Sequence, residues 1–264
     1  MPDPAAPAAL PHHERAVDRF TTAAIARGAL GVIVVGSAAR GTARPDSDVD
    51  VYEVVDDARF ARALAESTAA LVDVEAADWP GGYVDVKLVS PALLESAGEE
   101  ADDPTRASFA GARVAHDGVG GLAALVGAIA APPAEYFVRS IPPLLAQFAL
   151  HAGYFLPHGR DHSDRLLTAH AALHAALAAG RVALARAEVL FRGPKYLDEQ
   201  LRAAGRADVA DAAIALLDER SAPAAIELGR TIDADLSIDD ATLSRFIIDN
   251  EWAWFTRTTP PEHR

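Results

Sequence analysis

Val34-Val35-Gly36-Ser37-Ala38-Ala39-Arg40-Gly41, followed shortly by Ser47-Asp48-Val49-Asp50-Val51, is the stretch that decides how this chain reads. Leu30 to Val35 is a short, β-branched apolar run of the kind a buried strand needs, and Gly36 ends it in a tight turn. Ser37 to Gly41 can start a helix, Pro45 to Ser47 break it, and Asp48 to Val55 read as a second strand. Side chains alternate along a strand, so Asp48 and Asp50 project together while Val49 and Val51 enter the core. Two carboxylates aimed at one spot repel and raise each other's pKa unless a cation lies between them. Mg2+ suits such a place, because it takes oxygen ligands and is completed by water and substrate phosphates.

The turn itself offers the counterpart. Gly36 lets a ligand approach the backbone closely, and the free N–H groups at a helix start form an anion site. The Ser37 hydroxyl can cap that helix or bond a phosphate oxygen. A third carboxylate is expected on a neighbouring strand. Tyr83-Val84-Asp85-Val86-Lys87 puts Asp85 on a face with Tyr83 and Lys87, and β-branched neighbours make an aspartate there a poor choice unless its side chain is wanted. Asp73, in Val72-Asp73-Val74, is the rival. With Asp48 and Asp50, Asp85 completes a site for two Mg2+ ions, one clamping a triphosphate and one activating an acceptor hydroxyl.

Outward from this centre, residues 1–11 carry four prolines without hydrophobic period and read as a disordered tail. Helical spacing of Val17, Phe20, Ala24 and Ile25 predicts a helix over 12–27. Residues 58–70 predict another, and Leu71–Ala77 and Tyr83–Val89 predict a hairpin around Trp79-Pro80-Gly81-Gly82. The acidic stretch 95–106 reads as a loop or short exposed helix, and 111–116 as a last short strand. Beyond Gly118 the chain becomes Ala- and Leu-rich, with expected breaks near 132, 142, 157, 180, 193 and 223. The fold class is therefore α+β: an N-terminal mixed β-sheet with helices over 12–118, then an all-α helical bundle over 119–264.

Composition narrows the function. The 264 residues carry 24 Lys and Arg against 38 Asp and Glu, a net charge of −14 that disfavours a nucleic-acid partner and favours small cationic ones. The chain has no cysteine, so any metal is held by oxygen or imidazole. Charged or histidine residues interrupt every apolar run in the second half, so no membrane span is expected, and the N-terminus lacks a secretory pattern, which makes the cytoplasm the expected location.

Over residues 32–55 the chain resembles the nucleotidyltransferase superfamily related to DNA polymerase beta, whose signature is a Gly-Ser turn, then Asp-x-Asp, then a later lone Asp. It is most similar to the small-molecule branch that includes aminoglycoside nucleotidyltransferases, matching Gly-Ser-x-x-Arg-Gly at Gly36 to Gly41 and Ser-Asp-hydrophobic-Asp at Ser47 to Asp50. The resemblance implies triphosphate contact at Gly36 and Ser37, metal ligation at Asp48 and Asp50, and the third carboxylate at Asp85. Arg40 falls on the motif and is expected either to touch phosphate or to pair with a carboxylate. The implied activity transfers a nucleoside monophosphate, AMP favoured, from an NTP to a hydroxyl of a small, aminoglycoside-like acceptor, releasing pyrophosphate. Related antitoxins that modify a protein hydroxyl, and silent nucleotide-binding regulators, are the alternatives.

In such enzymes a helical C-terminal domain closes over the nucleotide. Here Lys195, in Arg192-Gly193-Pro194-Lys195-Tyr196, is the candidate phosphate contact, and Glu135 is one candidate base. His170 and His174 share a helix face, as His158 and His162 do at the same spacing. Lacking the Glu of a His-Glu-x-x-His motif, they read as packed or solvated rather than zinc-binding. Leu243 to Phe255 predicts a last amphipathic helix.

Overall fold

A computed structural model of the chain describes residues 10–252. These divide into two compact units between Pro132 and Pro133. The tail expected over 1–11 lies almost wholly outside the described residues, as do Trp254 and Phe255 of the expected last helix.

The first unit runs α1 (Pro11–Ala26), β1 (Gly31–Val35), α2 (Gly36–Arg40), β2 (Val49–Val54), α3 (Asp57–Ala65), β3 (Ala70–Asp73), β4 (Val84–Val89), α4 (Pro91–Glu100), α5 (Asp103–Ser108), β5 (Arg113–Asp117) and α6 (Leu122–Ala130). Its five strands form one sheet in the order β3-β4-β2-β1-β5. Only the β2–β4 pair is parallel; the others run antiparallel, so the sheet is mixed as expected. Every residue of β1 is buried, which is why it reads as an unbroken apolar run rather than an alternating one.

Each face of the sheet has its own core. On one, Val32, Val34, Val49, Val51, Val84 and Val86 pack against Ala16, Val17, Phe20 and Ala24 of α1. On the other, Ile33, Val35, Val54 and Val89 pack against Leu94 of α4 and Leu122, Val126 and Ile129 of α6. Each fully buried Val, Ile, Leu or Phe contributes about 1.5–3 kcal/mol. Because α6 completes this second core, the unit ends at 132 rather than at the expected 118.

Residues 95–106, expected as a loop or a short exposed helix, are mostly helical and mostly exposed, but not throughout. They belong to α4 and α5, and Arg106 is fully buried, its guanidinium donating to the carbonyl oxygens of Gly98, Ala101 and Ile129 at 3.0, 2.9 and 3.2 Å. The charge closes the carboxyl ends of two helices, an internal role that composition alone cannot reveal.

The second unit contains α7 (Ala134–Leu150), a π-helical turn at His151–Phe155, α8 (Leu156–Asp161), α9 (Arg165–Arg186), a 3-10 turn at Pro194–Tyr196, α10 (Leu197–Ala203), α11 (Ala207–Glu219), α12 (Ala222–Thr231), α13 (Asp240–Phe246) and a second π turn at Ile247–Glu251. Three expected breaks are absent: the backbone runs as unbroken helix from α7 through the π turn into α8, past Pro157. Pro142 and Pro143 lie inside α7, where the buried Phe137, Leu144 and Phe148 anchor the helix on either side of them. Gly180 lies inside α9, where a Cβ would stand 2.9 Å from both Leu197 Cδ atoms: it is small so that another segment can pack close. By length and composition α9 is also apolar enough to cross a membrane, contrary to the reading of the sequence, and half of that window is buried within the unit.

Candidate active site

The first-unit candidates meet at one end of the sheet. Val35 on β1 faces Asp50 on β2, and Asp50 faces Asp85 on β4, so these three form a single cross-strand row. The next row is Ile33, Tyr52 and Lys87, and the one beyond it Gly31, Val54 and Val89. Residues paired in this way share a sheet face. Along one face the rows pass from apolar groups covered by α4 and α6 to paired carboxylates, which are only half-buried.

Asp48 precedes β2 and returns to the same side as Asp50. Its carboxylate, with those of Asp85 and Asp50, holds the neighbouring Tyr83 hydroxyl above its ordinary pKa. Burial raises the Asp50 carboxyl, as do the charges of Asp48 and Asp85, against the opposing pull of Lys87 and Arg40. Lys87 Nζ donates to Asp85 at 3.1 Å. Burial works against that ammonium, but the bond and the Asp85 charge outweigh it and leave the lysine above its usual range.

Gly36 closes the site from β1. Its φ of +70° lies in the left-handed region, and a Cβ there would collide with Asp50 Oδ2. Ser37 follows in α2, which is only five residues long, so the turn's N–H groups matter here more than a helix dipole. Arg40, at the last position of α2, lays its side chain against Gly111 in the turn before β5 and acts on Asp50 through its charge.

Asp73 is placed differently. It pairs with Val84, whose side chain belongs to the core packed on α1, so Asp73 faces the opposite side of the sheet from Asp85. Its Oδ1 accepts from the N–H groups of Glu75 and Ala76 at 2.9 and 3.1 Å, closing a turn.

The loop that delivers Asp48 is held by two residues that sequence reasoning missed. His12 Nε2 lies 3.1 Å from the Pro45 carbonyl oxygen and His13 Nε2 3.1 Å from that of Ser47. Both imidazoles pack edge-on against Trp79, with centroids 4.9 and 5.1 Å away. An adjacent histidine pair at the head of α1, with no periodic reason to be there, was the available signal.

Lys195 and Glu135 belong to the second unit. Lys195 is exposed in the Pro194–Tyr196 turn, 5.3 Å from the Tyr196 ring centroid, and Glu135 is exposed in the first turn of α7.

Residues 24–92 match the model of the nucleotidyltransferase domain family, a span holding Gly36, Ser37, Arg40, Asp48, Asp50 and Asp85. The chain carries a nucleotidyltransferase domain. Nucleotidyl transfer is thus its general class of activity, and a nucleotide its class of substrate. No curated protein matches the chain. Among solved structures, the chain is similar to a nucleotidyltransferase-like protein from Exiguobacterium sibiricum 255-15, at 16% identity over 94% of this chain and 81% of that one, with a TM-score of 0.47.

Proposed function

We propose that this nucleotidyltransferase moves a nucleoside monophosphate, AMP by preference, from an NTP to a hydroxyl of a small aminoglycoside-like acceptor. The observation that carries the reading is the Asp50–Asp85 row with Asp48 beside it, set directly against the Gly36 turn. The three carboxylates fit Mg2+: Asp50 is raised by burial and by both neighbours, an electrostatic cost that a divalent ion removes. Asp48, Asp50 and Asp85 would hold two such ions, which would supply charge neutralisation for the triphosphate and a lowered pKa for the acceptor hydroxyl.

The chain's own residues do the positioning. Backbone N–H groups of the Gly36-Ser37 turn and the Ser37 hydroxyl hold phosphate oxygens. The Tyr83 hydroxyl borders Asp48, and Lys87 orients Asp85. The acceptor oxygen attacks the α-phosphorus, its bond to the β-bridging oxygen breaks, pyrophosphate leaves, and the hydroxyl proton passes to a base. Arg40 adds positive charge beside Asp50. The net charge of −14 supports a cationic acceptor over a polynucleotide, and the need for NTP and Mg2+ supports a cytoplasmic setting.

The test is mass spectrometry of a panel of aminoglycosides and other polyols after incubation with each NTP and Mg2+. A mass gain of one nucleoside monophosphate on an acceptor, absent with Asp50→Asn, supports the reading. Modification of a co-incubated protein instead of any small acceptor turns it toward the protein-modifying alternative.

A further inference from the structure

The second unit holds a cluster that nucleotidyl transfer does not use. His170 and His174 stand one turn apart on α9, and His151 opens the π-helical turn that follows α7. One donor atom from each imidazole lies within 4.8 Å of the others. The ring centroids of His170 and His174 are 4.2 Å apart, and those of His151 and His174 are 4.9 Å apart.

The most buried of the three is also the most firmly oriented. His151 is 6% exposed, and its Nδ1 lies 2.8 Å from the Gln147 carbonyl oxygen. A proton on Nδ1 donates to that oxygen and leaves the Nε2 lone pair open, the arrangement by which proteins fix the tautomer of a ligating histidine. Phe155 and Phe246 pack against its ring, with centroids 5.4 and 6.0 Å away. His174 is half-buried and His170 exposed, so the cluster opens from the core toward water. The backbone supplies an independent observation: π turns inside helices are rare and concentrate at functional sites, and this one begins at His151 itself.

We propose that His151, His170 and His174 form a binding site for a borderline-soft divalent transition metal ion, Zn2+, with a water-accessible fourth position beside His170. Imidazole suits Zn2+ and is a poor ligand for Mg2+, so this site and the carboxylate site select different metals. Bonds of about 2.0–2.1 Å need the three nitrogens to draw closer together than they stand, and the exposed His170 side chain is the one able to swing in. The bound ion would tie the π turn to α9 at the centre of the helical core. Sequence spacing showed only the α9 pair; the third ligand comes from a different helix.

The experiment uses the untagged full-length chain, stripped with chelator and titrated with Zn2+ by calorimetry and with Co2+ by visible absorption. The expected result is one ion per chain, a tetrahedral Co2+ spectrum, a melting temperature raised by Zn2+, and affinity lowered at least ~100-fold by His170→Ala and by His174→Ala. The His158→Ala/His162→Ala double variant and Asp50→Asn should bind as the wild type does. Because His170 is exposed, its replacement leaves the fold intact. The proposal is overturned by no binding at micromolar metal, or by binding that survives both His170→Ala and His174→Ala.

Discussion

Asp50 and Asp85 stand directly opposite each other across the parallel β2–β4 ladder, with the Asp48 charge also acting on Asp50. A carboxyl whose pKa is raised by folding binds more protons in the native than in the unfolded state between the two pKa values. Stability therefore falls as pH rises from the unfolded value through the raised native one. Asp50→Asn removes that repulsion. In chelator it should melt above the wild type at pH 7 and lose the advantage as the pH falls toward 4, while nucleotidyl transfer drops on the order of 10²–10³-fold or more. Thermal melts across pH, beside an activity assay, check both halves.

Tyr83 acts through Asp48. Tyr83→Phe keeps the ring and removes the hydroxyl beside Asp48. The expected outcome is a loss of about 10–100-fold in apparent Mg2+ affinity with a smaller change in kcat at saturating Mg2+. Mg2+ titrations of initial rate separate the two.

Two glycines with positive φ should behave differently. Gly28 has a φ of +85° and open space around it, so Gly28→Ala should cost roughly 1–2 kcal/mol, from backbone strain alone, and leave activity in place. Gly36→Ala adds a collision with Asp50 Oδ2, typically another ~1–3 kcal/mol, and displaces a candidate metal ligand. Denaturant unfolding should rank Gly36→Ala as the less stable, and only that variant should lose transfer activity.

Glu53 is buried on the opposite sheet face, where Arg27 and Arg59 both reach its carboxylate. Glu53→Gln leaves two partly exposed arginines without their counter-charge and should cost about 1.5–3 kcal/mol. Chemical denaturation should show the loss; at temperatures where the variant is folded, its KM for NTP should stay near that of the wild type.

The carboxylate row was legible in the sequence because strand alternation is a local rule: Asp48-Val49-Asp50 and Val84-Asp85-Val86 state their own facing. The choice between Asp73 and Asp85 depended on register, since Asp73 opposite Val84 faces away from the row, and pairing is invisible to a single segment. Arg106 looked like surface charge because the carbonyls it donates to include one from Ile129, far along the chain. Pro142 and Pro143 looked like a helix end because the apolar contacts that carry α7 past them come from elsewhere in the fold. His151 escaped notice for the same reason: only packing brings it to α9.

The most direct test of the central claim is Mg2+-dependent pyrophosphate release, compared for the wild type and for Asp48→Asn, Asp50→Asn, Asp85→Asn and Asp73→Asn with an acceptor that the wild type uses. Release should fall at least about 10²-fold in the first three variants and stay within a few-fold of wild type in Asp73→Asn. Full activity in Asp85→Asn together with loss in Asp73→Asn would contradict the three-carboxylate site.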